Sequence, residues 1–316
     1  MLLELVLLTI GFLVLIKGAD YFVEGAKNVA INFHVPKILI GLTVVAFGTS
    51  APELAVSIKS ILSNNYDIVL GNVIGSNIMN ILLILGVSSL VHPLLVKKGS
   101  LRREYPITLF LTFLFAILMN ESLFTTEIVN NFSRIDGIVL LIFFFIFLYI
   151  LITKTDSIDE EIDNNSLSLF KSLIFTIGGI LMIIIGSNMV VKAACEIAEF
   201  NGISKKLISL TIVAFGTSLP ELVTSVIATI KGEYDIAIGN IVGSNMFNIG
   251  IVIGLPVTIF GGINKINFDN IDVFVMLLSI ILLFIFSKND HKISRIEGII
   301  FLIIFVVYYY FVIVSG

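Results

Sequence analysis

The chain has 316 residues, of which 57% are hydrophobic and only 13% charged, with a net charge of −4 at pH 7. A soluble domain carries about 25% charged residues, so this composition belongs to an integral membrane protein. The acidic balance lacks the basic excess that nucleic-acid binding needs, and a single cysteine, Cys195, excludes a disulfide framework within the chain.

Mean hydropathy is +1.08, and apolar runs long enough to cross roughly 30 Å of hydrocarbon recur along the whole length. The first run, residues 2–16, lacks the basic region and small-residue cleavage site of a leader peptide. It also has a counterpart at 173–185, so it reads as a membrane span. Ten spans are predicted, at 2–22, 38–62, 67–91, 105–119, 135–152, 169–190, 206–230, 235–260, 271–287 and 296–314. Trp is absent, which leaves Tyr and Phe to supply any aromatic belt. One soluble linker, residues 153–168, holds Asp156, Asp159, Glu160, Glu161 and Asp163; an acidic run of this kind is ordinarily a solvated loop. The expected organisation is a first half at 1–152, the linker at 153–168 and a second half at 169–316.

The halves repeat one another. Residues 42–53 read LTVVAFGTSAPE and residues 210–221 read LTIVAFGTSLPE, an offset of 168 that also aligns Gly18 with Gly186, Gly71 with Gly239 and Asn80 with Asn248. Further on the offset becomes 161, matching SRIDGIVLLI from Ser133 to SRIEGIIFLI from Ser294. Five spans per half, an odd number, force the halves into opposite orientations, so the predicted fold is all-α with ten transmembrane helices in two inverted-topology repeats. Lys and Arg number thirteen in the segments after odd-numbered spans and six after even-numbered ones, which predicts both termini outside and the acidic linker in the cytoplasm.

Each copy of the repeated stretch puts Gly, two hydroxyl residues, Pro and Glu inside an apolar run. Gly48 and Pro52 weaken a continuous helix, so spans 2 and 7 are expected to be broken. A helix restarting after the break has Ser50 at its N-cap and Glu53 at N3, the spacing of a capping box. Such a cap contributes about 1 kcal/mol, whereas a carboxylate at mid-span costs about 2.5–3.5 kcal/mol on insertion scales. Capping alone does not justify the acid. The break is also expected to expose backbone carbonyls near Ala46 and Ala214. Carboxylate, hydroxyl and carbonyl oxygens are the hard ligands that Ca²⁺ and Na⁺ take, and these stretches contain no softer His or Cys ligands. His34, His92 and His291 fall at span ends, which argues against a histidine metal site.

Span 3 reads GNVIGSNIMNILLILG from Gly71 and span 8 reads GNIVGSNMFNIGIVIG from Gly239. Asn72, Ser76 and Asn80 recur every four residues and form one helical stripe, as do Asn240, Ser244 and Asn248. Gly71 with Gly75, and Gly239 with Gly243, form GxxxG pairs that allow close helix approach. These stripes also serve as packing and hydrogen-bond glue, the plainer reading, which weighs most for Asn72, Asn77, Asn240 and Asn245. Asp20 and Glu24 have no acidic counterparts at Asn188 and Lys192, and Glu4, Asp136 and Glu297 lie at span ends.

With GTSxPE and GNxxGSN each present twice at matched spacing, the chain resembles the cation/calcium exchanger superfamily, specifically prokaryotic sodium/calcium exchangers. The resemblance implies that Glu53 and Glu221 share Ca²⁺ at the centre and that Thr49 and Thr217 add backbone carbonyls. It implies flanking sodium sites from Ser50, Ser218, Ser76, Ser244 and the carbonyls of Ala46 and Ala214, with Asn80 and Asn248 bordering the centre as neutral ligands. It also implies long first and sixth spans that slide against the remaining bundle. Potassium-dependent relatives typically have Asp where Asn248 stands, so neutral residues at both positions favour potassium independence. The expected activity is antiport of Na⁺ against Ca²⁺ in the cell membrane, with Ca²⁺ extruded, the two ions and the lipid bilayer as partners, no cofactor and no required protein partner. The competing readings are a potassium-dependent or proton-coupled antiporter, a passive cation channel and, lowest, an intramembrane enzyme.

Overall fold

A computed structural model describes residues 2–120, 130–154, 167–202, 214–266 and 270–315. Most of the acidic linker and residues 206–213 of the seventh expected span therefore lie outside the described residues. The helices are α1 (Leu2–Asn32), α2 (Lys37–Thr49), α3 (Ala51–Leu62), α4 (Tyr66–Val91), α5 (Glu104–Met119), α6 (Arg134–Lys154), α7 (Leu169–Phe200), α8 (Ala214–Thr217), α9 (Leu219–Ile230), α10 (Tyr234–Phe260), α11 (Asn270–Lys288) and α12 (Arg295–Ser315). In lipid only a structure that satisfies its own backbone is tolerated, which is why the apolar runs are helical. Among the described residues seven helices are long and apolar enough to cross a membrane, or eight when α2 and α3, bent by 46°, count as one span.

Two boundaries differ from expectation. α1 runs 31 residues and α7 runs 32, each about ten longer than the predicted spans. At 1.5 Å per residue each is roughly 46–48 Å long, well beyond the hydrocarbon thickness. Lys17, Lys27 and Lys192, counted with the connecting segments, therefore sit within helices.

α1 and α7 run antiparallel in close contact along a heptad of small residues. A Cβ added at Gly25 would lie 2.5 Å from the Thr176 nitrogen, at Gly18 2.8 Å from the Ile183 nitrogen, and at Gly11 3.0 Å from the Val190 nitrogen. From the other side, Gly179 abuts the Phe22 nitrogen and Gly186 the Leu15 nitrogen, both at 2.6 Å. Backbone meets backbone here, and any side chain would push the helices apart. The pair shares a second buried apolar cluster, from Leu15 and Phe22 to Ile183 and Val190, with residues of α2, α9 and α10 such as Val45, Leu219 and Ile236, beside the larger core around α4, α5, α10 and α11.

At the centre lie α4 and α10, with 72% and 94% of their apolar windows buried against 11% for α12. Both carry a π-helical turn, Met79–Leu85 in α4 and Asn248–Ile253 in α10, and α2 carries a third at Gly41–Val45. The close approach expected of the GxxxG pairs is made at Gly239 and Gly243 but not at Gly75. Gly239 meets the Gly41 Cα and Gly243 the Leu42 Cα, while Gly75 has nothing within 4 Å. Two short antiparallel ribbons, absent from the sequence reading, stitch the halves together. β1 (Leu94–Leu95) pairs with β4 (Lys292–Ile293), and β2 (Asn130–Phe132) pairs with β3 (Ile263–Ile266).

The α1–α7 seam makes a direct prediction. Gly186→Ala forces a Cβ onto the Leu15 backbone, so it should lower the apparent Tm in detergent by an amount consistent with the 1–3 kcal/mol typical of overpacking. Gly178→Ala, at a position with nothing within 4 Å, should leave it unchanged. Equal thermal stability of the two variants would contradict the seam.

Candidate functional site

The expected site residues converge at the middle of the bundle. Glu53 enters from the first turn of α3 and Glu221 from the first turn of α9, each 1% exposed. They are close enough for the Glu221 charge to act on Glu53. Thr49, Ser50, Ser218, Ser76, Ser244, Asn80 and Asn248 are buried around them. Pro52 and Pro220 lack the N–H that the carbonyls of Gly48 and Gly216 would otherwise receive. The Gly216 carbonyl accepts the Ser187 hydroxyl instead, at 3.1 Å.

Two local expectations are overturned. Ser50 does occupy the N-cap of α3, but its side chain makes no cap hydrogen bond; its hydroxyl donates across the interface to Glu221 Oε1 at 2.9 Å. The capping boxes lie elsewhere. Ser133 and Asp136 bond reciprocally at the start of α6, as do Ser294 and Glu297 at the start of α12. These are two of the three end-of-span acids, and their carboxylates belong to helix starts. Nor is the break an unwound segment, since α2 passes to α3 through a single bent residue. The Ala46 carbonyl accepts the Ser50 N–H at 3.0 Å, so only its second lone pair is available to a cation. Ala214 opens α8.

The polar stripes resolve into pairs that respect the repeat. Asn72 Nδ2 donates to the Glu53 carbonyl (3.0 Å) and Ser57 Oγ (3.1 Å), while Asn240 Nδ2 donates to Ser225 Oγ (2.9 Å) and toward the Glu221 carbonyl (3.4 Å). Asn80 Nδ2 donates to Asn245 Oδ1 at 2.9 Å, and Asn248 Nδ2 to Asn77 Oδ1 at 3.1 Å, both from one half to the other. The Thr49 hydroxyl donates to Asn240 Oδ1 at 2.9 Å, which ties its helix to α10. Ser218 Oγ turns toward Ser76 Oγ at 3.4 Å. The sequence reading missed Ser57 and Ser225. Their signal was available, since each follows its glutamate by four residues and the two align at the repeat offset.

Among the buried oxygens left without a hydrogen-bond partner, five come from the expected site residues: both of Glu53, Oε2 of Glu221, and Oδ1 of Asn80 and of Asn248; Ser88, Glu104 and Thr224 are among the residues that supply the others. Leaving a buried polar group unsatisfied costs about 1–3 kcal/mol, and more when it is charged. A cluster of unsatisfied oxygens is the donor set of a hard cation such as Ca²⁺ or Na⁺. Among the described residues no group of three or more His, Cys, Asp or Glu could hold a metal ion; a cation here depends on two acids and neutral oxygens.

A helical membrane protein with a pseudo-symmetric cage of hard oxygens between its halves belongs to the class of cation carriers. Comparison with known proteins specifies the family. The family model described as sodium/calcium exchanger protein matches residues 3–153 and 171–314, and the chain belongs to that family. It is 35% identical to the putative antiporter CaxA of Alkalimonas amylolytica over 98% of both chains. It is 32% identical to the sodium/calcium exchanger MaX1 of Methanosarcina acetivorans over 96% of both. Among solved structures it superposes on the sodium-calcium exchanger NCX_Mj, with a TM-score of 0.85 and 34% identity over 97% of each chain. The protein is a multi-pass membrane exchanger and not an enzyme.

The serines can be told apart by experiment. Ser50→Ala should shift the Na⁺ half-saturation of exchange several-fold with little change in Tm. Ser133→Ala should cost about 1 kcal/mol of stability and leave the ion dependence alone. The reverse pattern would restore the capping role to Ser50.

Proposed function

We propose that the chain exchanges Na⁺ for Ca²⁺ by alternating access, extruding Ca²⁺ from the cytoplasm without need of K⁺. The observation that carries this reading is the set of five donorless oxygens around Glu53 and Glu221. Two carboxylates neutralise one Ca²⁺ or two Na⁺. Because both loads draw on the same carboxylate oxygens, simultaneous occupancy is unfavourable, and exchange follows. Ca²⁺ binds between Glu53 and Glu221 with the carbonyls of Thr49 and Thr217 and the amide oxygens of Asn80 and Asn248. Na⁺ binds at flanking positions where Ser50, Ser218, Ser76, Ser244 and the carbonyls of Ala46 and Ala214 add oxygens. A third Na⁺ leaves the loaded cage with one positive charge, whose transit is worth about 2.3 kcal/mol per 100 mV of membrane potential.

The scaffold for this activity is ten spans in two inverted five-helix halves, broken at α2–α3 and α8–α9. The antiparallel run of α1 and α7, which are counterparts in the repeat, supports the inversion. The backbone-to-backbone seam of that pair supports its sliding as a unit against the remaining bundle. The Lys and Arg distribution supports external termini and a cytoplasmic linker. Neutral residues at both 80 and 248 support potassium independence.

Radiolabelled Ca²⁺ uptake into proteoliposomes, under separately imposed Na⁺, K⁺ and pH gradients, tests the proposal. An outward Na⁺ gradient should drive uptake, and K⁺ or proton gradients alone should not. Glu53→Gln and Glu221→Gln should each reduce the flux about 100-fold, because ligand charge sets cation affinity. Ca²⁺ entry without any counter-ion gradient would mean a channel, and wild-type flux in either variant would remove the site assignment.

A further inference from the structure

The cross-half amide bonds deepen the proposed site. An Asn side chain is an acceptor at one end and a donor at the other, and a half-turn exchanges them. Which end of Asn80 and Asn248 faces the cage decides whether a cation meets an oxygen or an NH₂ group. Both are 1% exposed, and both use their NH₂ on a carbonyl from the opposite half, Asn245 Oδ1 and Asn77 Oδ1. Their own Oδ1 atoms are the ones left without a donor. Turning Asn80 over would set its oxygen against Asn245 Oδ1 and aim two N–H groups at the cation. We propose that Asn77 and Asn245 are positioning residues that lock Asn248 and Asn80 with their oxygens toward Ca²⁺.

The inference rests on the proposed ion site, and a double-mutant cycle separates the two. Asn245→Leu removes the acceptor at similar volume. It should raise the Ca²⁺ half-saturation about 10–100-fold, the usual loss when an outer-shell partner of a ligand is removed, with the maximal rate within about twofold. In an Asn80→Ala background the same substitution should add nothing, because the amide it orients is gone. Asn77→Leu with Asn248→Ala provides the second cycle, should one variant fail to fold. Additive losses in both cycles would overturn the positioning role. If Asn80→Ala and Asn248→Ala each leave Ca²⁺ half-saturation unchanged, the amides are not ligands, and the ion-site reading falls together with this one.

A separate observation concerns the balance between the two access states. Lys231, at the turn between α9 and α10, binds Asp20 at 2.7 Å and Glu24 at 3.4 Å on α1. Glu233 on the same turn binds Lys27 of α1 at 3.2 Å and Lys37 at 3.1 Å. The repeat counterparts of Lys231, Glu233, Asp20 and Lys27 are Ser63, Asn65, Asn188 and Cys195, all uncharged, while that of Lys37 is Lys205, whose aligned partner position, Asn65, carries no acid. The counterpart of Glu24, Lys192, faces Glu196 of its own helix at 4.0 Å. In a perfect inverted repeat the two access states are equal in energy, so a set of ion pairs whose aligned positions lack the matching charges must split them. We infer that this ionic clamp holds α1 closed on the Lys231 face, so that the resting carrier opens to the opposite side.

This inference rests on alternating access. Installing the counterpart residues, Lys231→Ser with Glu233→Asn, should change the ratio of Ca²⁺ half-saturation values measured from the two faces of oriented vesicles by about threefold or more. Raising ionic strength with choline chloride should move the wild-type ratio the same way, since the pairs are partly open to solvent. An unchanged ratio under both treatments would overturn the clamp. Absence of Na⁺-driven Ca²⁺ flux in the wild type would instead overturn the function on which it rests.

Discussion

Three carboxylate oxygens and two amide oxygens are held at the centre of an apolar bundle without a hydrogen-bond donor, and the rest of the molecule is arranged around that deficit. Isolated, such groups would hydrate or force the helices apart, since a buried charge without a partner is among the most costly features a protein can hold. Here the surrounding frame prevents both. Asn72 and Asn240 tie the helices bearing the glutamates to α4 and α10 through backbone carbonyls and Ser57 and Ser225. In the proposed function a bound ion supplies what the protein omits. In the proposed exchanger this is also the coupling device, because a cage with two bare negative charges is costly to carry through the apolar bundle, whereas a filled one is neutral or nearly so.

The frame has two parts of different character. Around α4 and α10 the packing is polar, buried and knitted by hydrogen bonds from one half to the other. Between α1 and α7 it is backbone against backbone, through glycines spaced by seven. Such close backbone contact, with Leu15, Phe22, Ile183 and Val190 buried alongside it, ties the two helices to one another, as a pair that moves as a unit requires. The two ribbons clip loops of one half to loops of the other away from that seam.

Much of the site was legible from repetition alone. Glu53, Glu221 and the paired serines, threonines and asparagines stand out because a costly polar pattern in lipid occurs twice at one offset. What was not legible depends on the partner half. No local rule says that Ser50 will abandon its own helix end for Glu221, or that Asp136 and Glu297 will be the acids that cap. The π-turns at Asn80 and Asn248 lie in apolar runs that read as ordinary helix, and such turns commonly mark functional sites. The length of α1 was underestimated because Glu24 and Lys27 look like interface residues until their pairing across the bundle is known. The ribbons involve too few residues to carry a strand pattern.

Repetition also hides a departure from symmetry that matters for the chemistry. Ser50 and Ser218 are counterparts, yet Ser50 donates to Glu221 while Ser218 turns to Ser76. The two carboxylates are therefore unequal: Glu221 already holds one hydroxyl proton on Oε1, whereas both oxygens of Glu53 are bare. A hydroxyl that donates its proton keeps its oxygen lone pairs, so in the proposed exchanger Ser50 can lend its oxygen to a cation beside Glu221 without releasing that carboxylate. The Ser50 bond joins a side chain of the first half to the acid of the second, so an ion that engages Glu221 engages both halves at once.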